Sequence, residues 1–527
     1  MPRTALHSLA RLKEHAAMPE THVPWWRGAV VYQVYIRSFA DSDGDGYGDF
    51  AGLLGKLDYI AALGVDALWL SPVHPSPNRD WGYDVSDYEG VHPDYGTLAG
   101  FDALLASCHA RGIRVLLDEV LCHTSDEHAW FSDSLARGPK SDWYVWAEPK
   151  PDGTAPNNWL SAFGGPAWAY RPERRQHYHH KFLRQQPKLN WRDEAAKRAA
   201  LDVLDLWLTR GADGYRLDVA NAYLHDPTLA DNPPVPMESR TGAIWGHAAN
   251  LQRHMHDSNL ADNIDALREI RAQVEKHAGA FVFGEFSEGF ERSGAYAADG
   301  LHASYTFELL RARKLSPDFV LKEIATLARH PHYWPCVSFC NHDIVRTVTR
   351  FGGGAAGDPG LAKMMLALLF TLRGTVLMYQ GEELGLPEVD LARHELRDPV
   401  GDLYYPAAKG RDGCRTPMPW DEGAPELGFT TGTPWLPLGA AHKPLAVSRQ
   451  DGDKDSTLNF ARDFLRRRKA SAALRLGTIE ALDAPAPILS FARVHDGERV
   501  VCTFNMSAKE VEHGGRKLAP YGFEIGE

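Results

Sequence analysis

Read from its N-terminus, the chain alternates short apolar runs with stretches whose apolar residues recur every three or four positions. The clear runs are GAVVYQVYIRSF (28–39), VDALWLSP (65–72), IRVLLDEVLCH (113–123), DGYRLDVA (213–220), AFVFGE (280–285), CVSFCNHD (336–343) and TVLMYQGEELG (375–385), with ASYTF (303–307) a weaker eighth. Such runs suit strands buried on both faces. Between them Leu98, Phe101, Leu104, Leu105 and Cys108 share one helical face, as do Leu201, Leu204, Trp207 and Leu208, and Ile264, Leu267, Ile270 and Val274. Strand and helix alternating about eight times predicts an α/β fold, a parallel (β/α)8 TIM barrel.

Two stretches break the alternation. Residues 124–193 lack a helical period and are rich in Trp, Pro, Gly and Asn, which predicts a subdomain inserted after strand three. Beyond a helix over 456–475, APILSFARV and RVVCTFNM alternate like sheet strands and predict a C-terminal antiparallel β-domain. The expected layout is an N-terminal arm (1–24), a barrel (25–123 and 194–476), the insertion (124–193) and the β-domain (477–527).

Composition narrows the partners. A net charge of −12 argues against nucleic acid or an anionic membrane surface. No run is long enough to span a bilayer, and the first residues lack a secretory h-region. The basic run Arg466 to Lys469 reads as solvated charge near a helix C-terminus. Six cysteines without a C-x-x-C pair read as buried thiols in a reducing cytoplasm. Small-molecule substrates and a monomer or homodimer are expected.

Four of the runs end in reactive side chains, and barrel strands bring their C-terminal ends to one mouth. The third ends in Asp118 and His123, the fourth in Arg216 and Asp218, the fifth in Glu285, and CVSFCNHD in His342 and Asp343. Paired carboxylates at one mouth suit glycosidic cleavage, one as nucleophile and one protonating the leaving oxygen. Asp218 suits the nucleophile, because Arg216 two residues earlier on the same strand face would keep it ionised. Glu285 suits the acid, because burial raises a carboxyl pKa toward neutrality. Asp343 and His342 would grip sugar hydroxyls. No G-x-S-x-G, H-E-x-x-H, phosphate loop or dinucleotide fingerprint competes with this.

DEVLCH, GYRLDVAN, FGEFSE and FCNHD resemble, in order and spacing, the four signature regions of the α-amylase superfamily of glycoside hydrolases, family 13. The resemblance implies a (β/α)8 barrel with these same insertions and a retaining mechanism, with Asp218 as nucleophile, Glu285 as acid/base and Asp343 as transition-state stabiliser. It places Tyr83, Asp84, His123, Arg216, His342 and Arg411 around the terminal glucose. Cys122 stands where region one commonly has Asn, which weakens the case for an amylase-type calcium site. QPKLN (186–190) resembles the QPDLN of the oligo-1,6-glucosidase and α-glucosidase branch, with Lys188 in place of Asp. That branch implies exo-acting release of glucose from short α-glucosides, and the long loop from Gly385 to about Trp420 agrees with a pocket. Val219, after the nucleophile, tends in relatives to accompany α-1,6 cleavage.

DSDGDGYGD (41–49) sets carboxylates at alternating positions, with Gly46 allowing a sharp turn. Asp41, Asp43, Asp45, the Tyr47 carbonyl and Asp49 form a candidate structural metal site, Ca2+ ahead of Mg2+, although Gly52 rules out a complete EF-hand. The histidine-rich HYHHKF (177–182) reads as surface or subsite packing. The rival readings are the same site used for transfer, as in a transglucosidase or a sucrose or trehalulose isomerase, and a non-catalytic binding barrel.

Overall fold

The computed structural model describes residues 23–526 apart from 238–247, 287–293, 295, 297–298, 306, 331–332 and 353–357. Most of the expected N-terminal arm, Ser287 and Glu288 of FGEFSE, and Thr306 lie outside the described residues.

Eight parallel strands close into a barrel: β1 (Val30–Val34), β2 (Ala67–Leu70), β3 (Arg114–Glu119), β4 (Gly214–Leu217), β5 (Phe281–Gly284), β6 (Ala303–Tyr305), β7 (Pro335–Val337) and β8 (Thr375–Tyr379). Each pairs with its chain neighbour, and β8 closes on β1 with Val30 opposite Val376. The two-residue side-chain period divides every run between two buried layers. Val31, Trp69, Leu116, Phe281, Phe283, Tyr305, Cys336 and Leu377 form one cluster that fills the ring. Val30, Tyr32, Leu68, Val115, Leu117, Tyr215, Val282 and Met378 pack outward against the helices. This is why the runs read as continuously apolar. Gly214 starts β4 with φ +147°, and a Cβ there would lie 1.8 Å from the Phe281 carbonyl oxygen, so glycine lets β4 and β5 pair.

The apolar faces read from the sequence occupy helices Leu98–Ala110, Glu194–Arg210 and Asn263–Val274. The apolar runs outlast the strands, because their C-terminal residues are buried mouth loops rather than sheet. Within the insertion, Trp146–Ala147, Gln176–His179 and Trp168–Arg171 form a small antiparallel sheet. Near the C-terminus, Thr478–Ala481, Ile488–His495, Glu498–Asn505 and Phe523–Gly526 form a four-stranded antiparallel sheet.

Three local expectations are corrected. The helix expected over 456–475 is two helices, Thr457–Ala470 and Ala472–Leu476, because the Ser471 hydroxyl accepts the Leu474 N–H and starts a new helix. The basic run is not wholly solvated: Arg468 is buried and donates to the carbonyls of Gly28, Phe370, Gly374 and Leu474, tying the underside of the barrel to the C-terminal helices. HYHHKF is interior rather than surface, with His179 packed 5.0 and 5.2 Å from the Trp159 and Trp168 rings. All six cysteines are buried free thiols.

Candidate active site

The C-terminal ends of β3, β4 and β5 set the centre of the mouth. Asp118 faces inward near the end of β3, opposite Arg216 on β4 in the sheet register. Asp218 follows β4 directly, and its N–H donates to the Glu119 carbonyl at 2.9 Å. Glu285 follows β5, and its N–H donates to the Leu217 carbonyl at 3.0 Å. The ladder that aligns the strands therefore also aligns the carboxylates.

One fully buried guanidinium gathers them. Arg216 Nη1 donates to Asp118 Oδ1 at 2.6 Å and Asp218 Oδ1 at 2.8 Å, and Nη2 donates to Glu285 Oε2 at 2.6 Å. Asp118 also accepts from Tyr83 Oη at 2.9 Å and Trp69 Nε1 at 3.2 Å. Burial raises Asp118 to about 6 and Asp218 and Glu285 each to about 7, with Arg216 pulling each the other way. Arg216 lowers Asp218 as expected, but one cation is divided among three desolvated acids and burial outweighs it. The raised Glu285 agrees with expectation.

Past Asp218 the chain turns at Val219, with φ +44° and ψ +45°. A β-branched residue in that region is strained, and such strain concentrates at functional turns. The Ala220 N–H donates to the Glu285 carbonyl at 2.9 Å, so this turn ties the end of β4 to the end of β5.

Asp343 differs electrostatically. Burial alone would raise its pKa, but His342, Arg411 and Arg415 hold it well below the usual carboxylate range. Arg415 Nη2 donates to Asp343 Oδ1 at 2.6 Å and its Nε to the His342 carbonyl at 2.8 Å. Arg411 Nη1 reaches Asp343 Oδ1 at 3.4 Å, while its Nη2 bridges Asp80 at 2.6 Å and Asp398 at 2.8 Å.

Of the residues assigned to sugar binding, Tyr83, Arg216, His342 and Arg411 enter this network. His123 lies beside it, its Nε2 2.9 Å from the Tyr83 carbonyl. Asp84 does not enter: its carboxylate accepts from Ser76 Oγ, Arg79 N and Asp80 N, all within its own loop, and burial raises it to about 6. Asp80 reaches Arg411 instead. Sequence reasoning missed Asp80, Asp398 and Arg415; Arg415 stood within the quoted GRDGCRTPMPW, and only proximity in space distinguishes it. Gln186 of QPKLN was also missed as a site residue, and its Nε2 donates to Asp80 Oδ2 at 3.1 Å.

Cys122 and Lys188, the two departures from the family pattern, meet. The buried Lys188 ammonium lies 3.5 Å from Cys122 Sγ and donates to the carbonyls of Ala222 and Tyr223. It clasps the loop beyond Asp218 to the end of the third apolar run.

In the acidic loop, Asp41, Asp43 and Asp49 offer carboxylate oxygens within 4.8 Å of one another, and Asp45 is outside that group. Backbone N–H groups of Asp43, Gly44 and Gly46 donate to Asp41, and the Asp45 carboxylate accepts the Tyr47 N–H at 2.8 Å. Gly46 turns with φ +95° against Thr433, where a Cβ would lie 2.1 Å from the carbonyl oxygen. The oxygen chemistry of the gathered carboxylates fits a hard divalent cation.

A closed α/β barrel with buried acids around one guanidinium at its C-terminal mouth defines a barrel enzyme of the glycoside-cleaving class. Residues 33–477 match the Alpha-amylase model described as the alpha amylase catalytic domain. The chain is 47% identical over 493 residues to a probable alpha-glucosidase of Rhizobium meliloti (strain 1021), covering 92% of this chain and 89% of that protein. It is 33% identical over 525 residues to an oligo-1,6-glucosidase of Heyndrickxia coagulans, covering 92% and 93%. The crystal structure of the alpha-glucosyl transfer enzyme XgtA is similar with a TM-score of 0.91 at 45% identity, covering 96% of this chain and 100% of that one. That of the trehalulose synthase MutB from Pseudomonas mesoacidophila MX-45 is similar with a TM-score of 0.85 at 30% identity, covering 96% and 99%. The chain belongs to the α-amylase family and is a glycoside hydrolase of α-glucosidase or oligo-1,6-glucosidase type.

Proposed function

We propose that the enzyme is a retaining, exo-acting α-glucosidase that releases glucose from the non-reducing end of short α-glucosides, with α-1,6 linkages favoured. The observation that carries the retaining mechanism is that Asp218 and Glu285 contact the two ends of one guanidinium, at 2.8 and 2.6 Å. This supports the close carboxylate spacing of about 5–5.5 Å that direct attack uses, rather than the 6.5–9.5 Å that leaves room for a water.

In this mechanism Asp218 attacks the anomeric carbon while Glu285 passes its proton to the leaving oxygen. A glucosyl ester on Asp218 results, and Glu285, now ionised, takes a proton from the water that opens it. One cation among three buried acids favours retention of a proton near neutrality, and the mechanism assigns that proton to Glu285. Asp343, held ionised by its own arginines, faces the positive charge that develops on the ring. Arg411, reaching from the loop after β8 to Asp80 and Asp343, supports a closed pocket and therefore exo action.

The linkage preference rests on Val219. Initial rates on isomaltose, maltose, sucrose and trehalose at equal concentration test it: faster cleavage of isomaltose is expected, and maltose cleaved far faster would overturn the preference while leaving the mechanism intact. A second reading, transfer of glucose to a sugar acceptor, is favoured by the 45% identity to an alpha-glucosyl transfer enzyme. Product analysis in concentrated maltose or sucrose separates the two, because both proceed through the same ester.

The proposal includes a structural divalent cation, calcium ahead of magnesium, held by Asp41, Asp43 and Asp49 with the Tyr47 carbonyl, while Asp45, the other expected ligand, stays outside the group. Six buried thiols support a reducing, cytoplasmic setting. Among the described residues no helix is long and apolar enough to cross a membrane.

A further inference from the structure

Gln33 of β1, VVYQV, is buried beneath the mouth on the face it shares with Val31. Its amide Nε2 lies 2.7 Å from Nδ1 of His342. Across the ring, His342 Nε2 lies 2.5 Å from the hydroxyl oxygen of Tyr83, which lies 2.9 Å from Asp118 Oδ2.

Counting protons orients this chain. Asp118 meets donors on both oxygens, Arg216 at Oδ1 and Trp69 at Oδ2, so it enters as an acceptor. The single hydroxyl proton of Tyr83 is therefore given to Asp118. The Tyr83 oxygen can meet the imidazole only by accepting, so His342 carries its proton on Nε2. A neutral imidazole protonated there has a bare Nδ1, and a buried bare nitrogen needs a donor. The amide of Gln33 is the donor within reach.

We propose that Gln33 is a positioning residue that fixes His342 as the Nε2–H tautomer and holds its ring parallel to that of Tyr83, so that the imidazole N–H stays on the Tyr83 oxygen at the active-site mouth. The two rings lie 2° from parallel with centroids 5.3 Å apart. His342 Nε2 lies 3.4 Å from Asp343 Oδ1, so the N–H held on the Tyr83 oxygen stands beside that carboxylate at the mouth. The groups facing His342 are Asp343, Arg415, Arg216, Arg411 and Tyr83, with the Tyr35 ring stacked at 5.8 Å. Burial and the three guanidiniums outweigh Asp343 and lower the imidazole to about 3, so it stays neutral through the working range. The effect on turnover rests on the proposed glucosidase reading; the tautomer does not.

The test is nitrogen NMR of the full-length enzyme with labelled histidine, the His342 signal assigned by its loss in His342→Gln, together with pH profiles of kcat/KM for Gln33→Glu, Gln33→Met and Gln33→Leu. In the parent enzyme His342 is expected to show a proton-bearing Nε2 and a bare Nδ1 at neutral pH. Gln33→Met and Gln33→Leu should each lose about tenfold in kcat/KM, the scale of one lost buried hydrogen bond, with no new ionisation. Gln33→Glu should gain a limb the parent lacks. At low pH the added carboxyl supplies the extra proton and Nε2–H is kept; as pH rises that proton leaves, the ring proton is drawn to Nδ1, and activity falls. Proton-bearing Nδ1 in the parent at neutral pH would overturn the proposal, as would parental profiles in Gln33→Glu and Gln33→Met. Because the NMR result needs no substrate, an enzyme inactive on α-glucosides would count against the glucosidase reading alone.

Discussion

Arg415 donates to Asp343 at 2.6 Å, and among the described residues Asp343 is the one carboxylate it pairs with. Arg216, in contrast, serves Asp118, Asp218 and Glu285 together. Two arginines at one mouth thus produce opposite outcomes: an acid kept ionised at all working pH values, and a trio kept near its titration point. Replacing Arg415 by Met should let burial raise Asp343 and cost about 100-fold or more in kcat, the scale of losing one preorganised electrostatic group. Because the folded-state pKa of Asp343 is depressed, its stabilisation is present above the unfolded value of 3.8 and lost as pH falls below it. Melting temperatures of parent and variant should therefore differ at pH 7 and converge at low pH.

Asp218→Asn should lower turnover by about 1,000-fold or more, as removal of a nucleophile does. Its folded pKa is raised from 3.8 to about 7, so the stability that the protonated form contributes is present below 3.8 and lost as pH climbs to about 7. The variant's melting temperature, relative to the parent, should rise across that interval. A drop that grows with pH would contradict the assignment of Asp218 as a buried, strained charge.

For the parent, kcat/KM should describe a bell. Glu285 must be protonated, so activity falls as pH passes about 7 from below. Asp218 must be ionised, so activity also falls on the acid side, while Asp343 contributes no limb. A flat profile from pH 5 to about 9 would show that the acids are not the titrating groups.

Glu285→Gln should lose about 1,000-fold on disaccharides and far less in the first step on aryl glucosides whose leaving group needs no proton. Stopped-flow release of a nitrophenol should then show a burst, because the second step lacks its base. Equal losses on both substrates would remove Glu285 from the acid's role.

A chelator should lower the melting temperature, and Ca2+ should restore it more effectively than Mg2+. Asp41→Asn should abolish that response. Thr430 also donates to Asp41, and the Trp435 N–H donates to the Gly46 carbonyl at 3.0 Å, so loosening should reach the 429–435 segment, which hydrogen exchange would detect.

The sequence by itself determined the barrel, the insertion, the C-terminal sheet and the central acids. Those features are repeated or local: eight runs of one kind, with reactive residues at fixed offsets from strand ends, survive being read in one dimension. Tertiary structure alone decided which polar residues meet. Asp84 and Asp80 stand four residues apart in one loop, and only the fold turns one toward Arg411 and the other into its own turn. Gln33 and His342 are 309 residues apart, as are many pairs that never touch, and closing β8 on β1 is what joins them. Lys188 read as a departure from a motif until the carbonyls of Ala222 and Tyr223 gave its ammonium a place. The proton balance among Asp118, Asp218 and Glu285 depends on desolvation and shared charge, which are properties of a three-dimensional neighbourhood.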